Sequence, residues 1–347
     1  MNRLLIIRFS AIGDVAMLVP VVCSLATQYP ELDITVLTRR NYTPIFDWMP
    51  RNVRLMGIDL KEYEGWRLER LFSELKTMQF DAVADMHDVI RTKYLRMRFR
   101  MTGVKTAVVD KGRDEKKQLL GHGIGHSPLK HTTERYAEVL RQLGLPLTLD
   151  YDVKGVTKNA AFLSARKITV PIFKSTGEKW VGIAPFAAHE GKIYPLEKMR
   201  QVVTELSDIG VRVFLFGAGE KESKILSSWQ KNGRIVSICG KMGSLHNELV
   251  LMSQLDVMIA MDSSNMHMAA MMGTPVISVW GATHPKAGFT PWNQPEENII
   301  QMENLPCRPC SVYGNKPCRY GDYRCMKKIQ PERIVGLVEN IISGTSS

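Results

Sequence analysis

The chain has 347 residues, of which 44% are hydrophobic and 23% charged, with a formal net charge of +11. This composition fits a soluble globular protein with room for two domains and a sizeable core in each. No apolar run approaches the roughly 18 residues of a membrane-spanning helix, and the positive surplus points to anionic partners: lipid, nucleic acid or phosphorylated substrates.

The opening residues form a short apolar run that Arg8, Gly13 and Asp14 interrupt, with no small-residue cleavage site after it. They read as a first strand and not as a signal peptide, which predicts a cytoplasmic protein. Leu4 to Ile7 is that strand, Arg8 to Asp14 a loop, Val15 to Gln28 a helix kinked by Pro20, and Ile34 to Leu37 a second strand. The order strand, loop, helix, strand opens a doubly wound domain. Its loop is not the Gly-x-Gly-x-x-Gly fingerprint. Asp14, at the start of the helix, has two readings: an N-cap, or a carboxylate that serves as a general base.

Trp66 to Met78 has the pattern of an amphipathic helix and Ala82 to Asp85 that of a strand, followed by Asp85, His87 and Asp88. A polar loop and a metal site are the alternatives there. Residues 91 to 117 hold ten basic residues against three acidic ones, which is +7 of the total. Arg91, Lys93, Arg96, Arg98 and Arg100 interleave with Tyr94, Leu95, Met97, Phe99 and Met101. The readings are a solvated helix face, or a surface for an anionic acceptor or membrane, with nucleic acid third. His122, His126 and His131 follow in a Gly-rich loop and match no metal spacing. Thr132 to Leu143 is a helix and Leu145 to Val153 is extended. The latter contains Asp150-Tyr151-Asp152, whose alternating context favours a strand over a metal site. A boundary falls near residues 155 to 178, where Asn159 to Lys167 is a short helix candidate and Pro171 and Ser175 to Glu178 are linker-like.

The strand–helix rhythm then restarts: strands at Trp180–Ala184, Val211–Phe216, Ile235–Ile238, Val257–Met261 and Val276–Trp280, helices at Leu196–Ile209, Lys221–Trp229, Leu245–Gln254 and Asn265–Met272. The loops at the strand carboxyl ends contain Lys192, Gly217, Met242, and the run Asp262, Ser263, Ser264, His267. In open α/β sheets this edge binds ligands, and a helix N-terminus after hydroxyl residues suits a phosphate. Taken alone, Lys192 also reads as an exposed loop lysine and Met242 as a core residue.

Cys23 and Cys239 lie in apolar contexts and read as core residues. Cys307, Cys310, Cys318 and Cys325 are spaced C-x2-C-x7-C-x6-C. Structural zinc, free thiols and disulfides are the three readings of that tail. Arg308, Lys316, Arg319 and Arg324 within it suggest anion binding, and Pro331 opens a last helix to Ile342.

Three segments together resemble a known family. R-x-S-x-x-G-D from Arg8 to Asp14 is the first, and G-x-x-P-x-A-x-x-x-x-K-x-Y-P from Gly182 to Pro195 the second. The third is D-S-x-x-x-H-x-A-A from Asp262, followed by G-T-P and G-A-T-x-P. In this order they are similar to glycosyltransferase family 9, the lipopolysaccharide heptosyltransferases. The resemblance implies an α/β fold of GT-B type, two Rossmann-like domains facing across a cleft. It places residues 1–165 in an acceptor-binding domain, 175–325 in a nucleotide-sugar domain with a Cys-rich tail, and 331–343 in a C-terminal helix.

It implies inverting transfer of heptose from ADP-heptose to an acidic lipopolysaccharide inner-core acceptor of lipid A–Kdo type, at the inner face of the cytoplasmic membrane. Asp14 would be the base. Lys192, Gly217, Met242, Asp262, Ser263, Ser264 and His267 would bind the donor, and Arg91, Lys93, Arg96, Arg98 and Arg100 the acceptor. No cofactor would be required for catalysis. The chain departs from the family pattern at Ala187 and Ala188, where hydroxyl residues are frequent, at Tyr194, where Trp is commoner, and at Ser264, where Gly is usual. These departures leave open a different nucleotide or sugar. Two other functions are open to the sequence: a sugar-nucleotide epimerase or hydrolase on the same fold, and a basic zinc protein that binds nucleic acid. The first leaves the basic segment unexplained, the second the three ordered loops.

Overall fold

The computed structural model describes residues 1–122, 127–151, 174–231 and 233–344. The chain divides into two compact units, Met1–Gly112 with Lys130–Asp152, and Arg113–Leu129 with Val153–Ser347. The expected helix Asn159 to Lys167, Asp152 of the Asp-Tyr-Asp run, His126 and the side chain of His122 lie outside the described residues.

In chain order the strands are β1 (Arg3–Ile7), β2 (Asp33–Arg39), β3 (Val53–Ile58), β4 (Ala82–Asp85), β5 (Lys105–Val108), β6 (Trp180–Ala184), β7 (Arg212–Leu215), β8 (Ile235–Ser237), β9 (Val257–Met261), β10 (Val276–Trp280) and β11 (Ile299–Gln301). The α-helices are α1 (Ile12–Ala16), α2 (Val19–Gln28), α3 (Leu68–Lys76), α4 (Ile90–Met101), α5 (Arg113–His122), α6 (Thr132–Gln142), α7 (Leu196–Asp208), α8 (Gly219–Ser228), α9 (Leu245–Gln254), α10 (Ser264–Met271), α11 (Arg324–Lys327) and α12 (Pro331–Ser343).

The first unit holds a parallel sheet in the order β3-β2-β1-β4-β5, the second a parallel sheet in the order β11-β10-β9-β6-β7-β8. Parallel strands covered on both faces read as unbroken apolar runs. Leu4 to Ile7 and Val257 to Met261 are such runs, Val276 to Trp280 is broken only by Ser278, and every residue in the three is buried. The strand order reverses between β1 and β4 in one sheet and between β6 and β9 in the other. A crevice opens at such a switch point, and the chain leaving either strand is delivered to it.

Two expectations change. The helix from Val15 to Gln28 is two helices, because the turn at Met17–Leu18 separates α1 from α2 and Pro20 occupies the first turn of α2, where its missing N–H costs nothing. The extended run from Leu145 joins no strand through Tyr151; Asp150 N–H instead donates to Ser24 Oγ, and Tyr151 Oη accepts from Trp48 Nε1. The segment 113–129 belongs with the second unit. There Leu119 and Leu129 pack on Ala287 and Phe289, and Lys116 lies 4.6 Å from the Phe289 ring centroid.

Candidate active site

In the first unit β1 continues one residue past its end, where Arg8 N–H donates to the Leu37 carbonyl. The chain then turns into α1, and Asp14 falls in its first turn. Asp14 Oδ2 accepts the N–H of Ala11 at 3.1 Å and the guanidinium of Arg8 at 2.6 Å. Oδ2 thus caps the helix, and among the described residues Oδ1 has no protein partner. Arg8 is the buried member of the pair, its side chain 9% exposed against 27% for Asp14. It donates also to the Met86 carbonyl and lies over the Tyr136 ring. Burial alone would lower the Arg8 pKa, but the Tyr136 hydroxyl and Asp14 outweigh it and hold the group charged.

Asp85, His87 and Asp88 follow β4 across the switch point. Asp85 is fully buried, its Oδ1 accepting the N–H groups of His87 and Asp88 and its Oδ2 the Arg96 guanidinium at 2.6 Å. This carboxylate shapes the turn. His87 Nε2 sits 3.2 Å from Ser10 Oγ, which ties β4 to the loop carrying Asp14. Burial, then the charges of Arg8 and Lys111, push the His87 pKa down to about 3, so the ring is neutral. His131 is also structural, its ring capping α6 by accepting from Thr133 N–H.

The basic segment proves less isolated than its linear count implies. Arg91 pairs with Glu64, Lys93 with Asp88, Arg96 with Asp85 and Asp88, and Arg98 with Glu69, while Arg100 donates to Thr106 Oγ1. All four acids come from outside residues 91–117. Arg96 is the most committed of the five; Lys93 and Arg100 stay exposed.

In the second unit β9 ends at Met261, Ser263 takes the extended N-cap conformation, and α10 begins at Ser264. Asp262 Oδ2 accepts from Lys192 Nζ at 2.9 Å and from Thr283 Oγ1 at 2.8 Å. Lys192 and Asp262 are both close to burial, with side chains 14% and 10% exposed. The Ser263 hydroxyl, at the N-terminus of α10, is buried with no hydrogen-bond partner among the described residues. His267 is buried one turn into the same helix. Five of the expected residues thus gather at the β6/β9 switch point: Lys192, Asp262, Ser263, Ser264 and His267.

Lys192 is held from behind. Gly191 O accepts from Ala282 N–H, and Gly314, at φ +78°, lies so close that a Cβ there would meet Lys192 Cγ at 2.8 Å. Tyr194 is fully buried, its Oη donating to the Ile329 carbonyl and its N–H to Met261 Sδ. Gly217, after β7, leaves room for Leu226 and for Glu222, whose carboxylate accepts the Ala218 N–H. Met242 is buried, and its carbonyl accepts from Asn247 Nδ2.

Arg308 is withdrawn from the anion binding expected of the tail's basic residues. Its side chain is buried and spends its donors on the carbonyls of Gly281, Met302 (2.6 Å) and Thr283 (2.8 Å). It therefore shapes the Gly281–Thr283 loop whose hydroxyl reaches Asp262. A sequence cannot mark such an arginine as buried, because its partners are backbone carbonyls and carry no residue identity. Cys307, Cys310, Cys318 and Cys325 are not joined in disulfides. Burial raises the Cys310 pKa and pushes Cys325 up to about 11. Burial would also raise Cys318, but the backbone N–H groups of Tyr323 and Tyr320 reverse that and lower it. Among the described residues no group of three or more His, Cys, Asp or Glu side chains is arranged to hold a metal ion.

Residues 68–320 match the family model of glycosyltransferase family 9 (heptosyltransferase). The chain belongs to this family. It is a glycosyltransferase, and its two parallel sheets form the GT-B fold. It is 23% identical over 188 residues to lipooligosaccharide heptosyltransferase 2 of Campylobacter jejuni, covering 52% of this chain and 56% of that relative. It is 23% identical over 312 residues to the lipopolysaccharide core heptosyltransferase OpsX of Haemophilus influenzae, covering 87% and 84%. Among solved structures, E. coli heptosyltransferase WaaC with ADP superposes with a TM-score of 0.68 at 16% identity, over 98% of this chain and 99% of that one.

Proposed function

We propose that this glycosyltransferase moves a heptose from ADP-heptose, with inversion, to an acidic lipopolysaccharide inner-core acceptor of lipid A–Kdo type. It would act in the cytoplasm, at the inner face of the cytoplasmic membrane. No helix among the described residues is long and apolar enough to cross a membrane, so contact with a lipid-anchored acceptor would be made from the surface. The relatives named above supply the sugar and the acceptor class. The observation that carries the chemistry is the Lys192–Asp262–Thr283 cluster beside the N-terminus of α10.

An inverting transfer needs a base for the acceptor hydroxyl and a stabiliser for the departing diphosphate. Asp14 Oδ1 takes the hydroxyl proton while the acceptor oxygen bonds to the anomeric carbon. The bond from that carbon to the diphosphate breaks, and its electron pair leaves on the phosphate oxygen. Lys192 turns from Asp262 to that oxygen, and the N–H groups and Ser263 hydroxyl at the start of α10 add donors. This also meets the shortage left by Ala187 and Ala188. Asp262, kept in place by Thr283, is repelled by phosphate and serves donor hydroxyls instead. Gly217 and Met242 border the nucleotide, His267 donates to a phosphate oxygen, and the exposed Lys93 and Arg100 meet the acceptor's acidic sugars together with Arg91, Arg96 and Arg98.

The test is thermal stabilisation by ADP, UDP, GDP and CDP. ADP at a hundredfold excess over its Kd should stabilise by about 2.7 kcal/mol, and Lys192→Ala should remove most of that gain. A preference for UDP or GDP overturns the donor, and silence with all four overturns the site.

A further inference from the structure

Helix α4 is apolar on two opposite sides. Leu95 and Phe99 are buried inward in the cluster with Leu71, Phe72, Leu75 and Phe80. Ile90, Met97 and Met101 stand seven and eleven residues apart, which puts all three within about 40° of one line along the helix. That line faces outward: Ile90 is 88% exposed, Met101 75% and Met97 50%. Trp66 is 85% exposed and shares the same corner. Glu64, two residues before it, pairs with Arg91 beside Ile90, and Glu69, three residues after it, pairs with Arg98. Ile90, Trp66 and Met101 are the most exposed large apolar side chains of the described residues. Single exposed apolar residues call for no account, but such a gathering does.

The charges around the stripe indicate what covers it. Helix α4 carries five basic residues and no acidic one. Lys93 and Arg100 run along one flank of the stripe and Arg91 and Arg98 along the other. Arg91 and Arg98 are answered by Glu64 and Glu69 and Lys93 by Asp88, yet Lys93 and Arg100 stay exposed, as does Arg67 next to Trp66. A second copy on this face would bring basic rows together around the apolar contact. A sheet of anionic headgroups over hydrocarbon suits both features: apolar side chains enter, lysine and arginine stems lie along them with their heads at the phosphates, and an indole ring sits at the boundary.

We propose that α4 and Trp66 form a docking face for an anionic phospholipid bilayer, with Ile90, Met97, Met101 and Trp66 inserted, Arg67 at the headgroups, and Lys93 and Arg100 at the level where headgroups and the acceptor's acidic sugars meet. The purpose rests on the lipid-anchored acceptor proposed above, because docking would hold the enzyme where that acceptor lies. The docking itself needs neither donor nor acceptor.

The test is co-sedimentation of the full chain with phosphatidylcholine vesicles, with and without phosphatidylglycerol. Binding is expected to the anionic vesicles and to weaken with salt. The Ile90→Glu/Met101→Glu double variant should lose it at least about tenfold at an unchanged melting temperature. Ile209→Glu, at an exposed apolar residue of the second unit, should bind like the parent. The double variant should keep its stabilisation by ADP and its transfer to a deacylated, water-soluble acceptor, and lose transfer to a vesicle-held one. The proposal is overturned if the parent ignores anionic vesicles, if the double variant binds as well as the parent, or if the double substitution instead dissociates a dimer seen by sedimentation equilibrium. Failure of ADP to stabilise the parent would count against the proposed reaction and leave the docking result standing.

Discussion

The two units place an ion pair at the same topological position and use it in opposite ways. Arg8–Asp14 lies at the β1/β4 switch point and Lys192–Asp262 at the β6/β9 one. In the first, the cation is sunk among the Met86 carbonyl and the Tyr136 ring, and one oxygen of the carboxylate has no partner among the described residues. In the second, both charges are nearly covered and the carboxylate is shared with a hydroxyl. Which member of a pair is buried, and on what, decides which member is left for chemistry. In the proposed reaction the first pair would present a carboxylate that takes a proton. The second would release a cation to the diphosphate, since a phosphate carries more charge than the carboxylate it displaces.

The comparison breaks most sharply at Asp14. Asp14→Asn keeps the size and removes the proton acceptor, so the transfer rate should fall by about 10²–10⁴-fold while ADP stabilises the variant as it does the parent. Equal losses of rate and of ADP stabilisation would show that the two pairs do not divide the work.

Next in size is Arg308, the second unit's counterpart of Arg8, a buried cation spent on backbone carbonyls. Arg308→Met leaves those carbonyls without donors at about 1–3 kcal/mol each. Unfolding by denaturant should register a loss of at least about 3 kcal/mol, with weaker stabilisation by ADP as the Thr283 loop loosens. A variant as stable as the parent would mean the loop does not depend on this residue.

The smallest effect sharpens the contrast between a carboxylate with a cation and one without. Glu248 on α9 is largely buried, and burial pushes its pKa up from 4.5 to about 7. The unfolded chain gives up this proton near 4.5 and the folded chain holds it until about 7, so the contribution to stability falls as pH rises through that window and is level above it. Glu248→Gln should remove the slope and be more stable than the parent at pH 8 by up to about 3 kcal/mol, at about 1.4 kcal/mol per unit, with little difference at pH 4. A parent and variant that track each other from pH 4 to pH 8 would place Glu248 in water.

Much of this was legible in the chain itself. The unbroken apolar runs gave the central strands because a strand covered on both faces leaves no polar position to betray its period. The loops after β1, β6 and β9 were legible because Gly, Pro, Ser and Asp punctuate them. Less visible were β3 and β5, which the sequence reading passed over. β3 lies at one edge of its sheet and is only partly covered, so the residues of Val53–Ile58 carry a mixed pattern. The break between α1 and α2 was hidden because apolar residues run through it.

The sequence by itself determined the succession of the central strands, the sheet edge at which their loops emerge and the residue types gathered there, because these depend on local pattern and on the rule that parallel strands deliver their loops to one side. Only the tertiary structure decided what each charge does. It answered the basic segment with Glu64, Glu69, Asp85 and Asp88 from elsewhere in the chain, buried Arg308 on carbonyls, and turned Ile90, Met97 and Met101 outward while Leu95 and Phe99 went in. The physical reason is the same in each case. Burial and pairing are properties of neighbours in space, and a helix that is apolar on two sides contains nothing local to say which side the core will take.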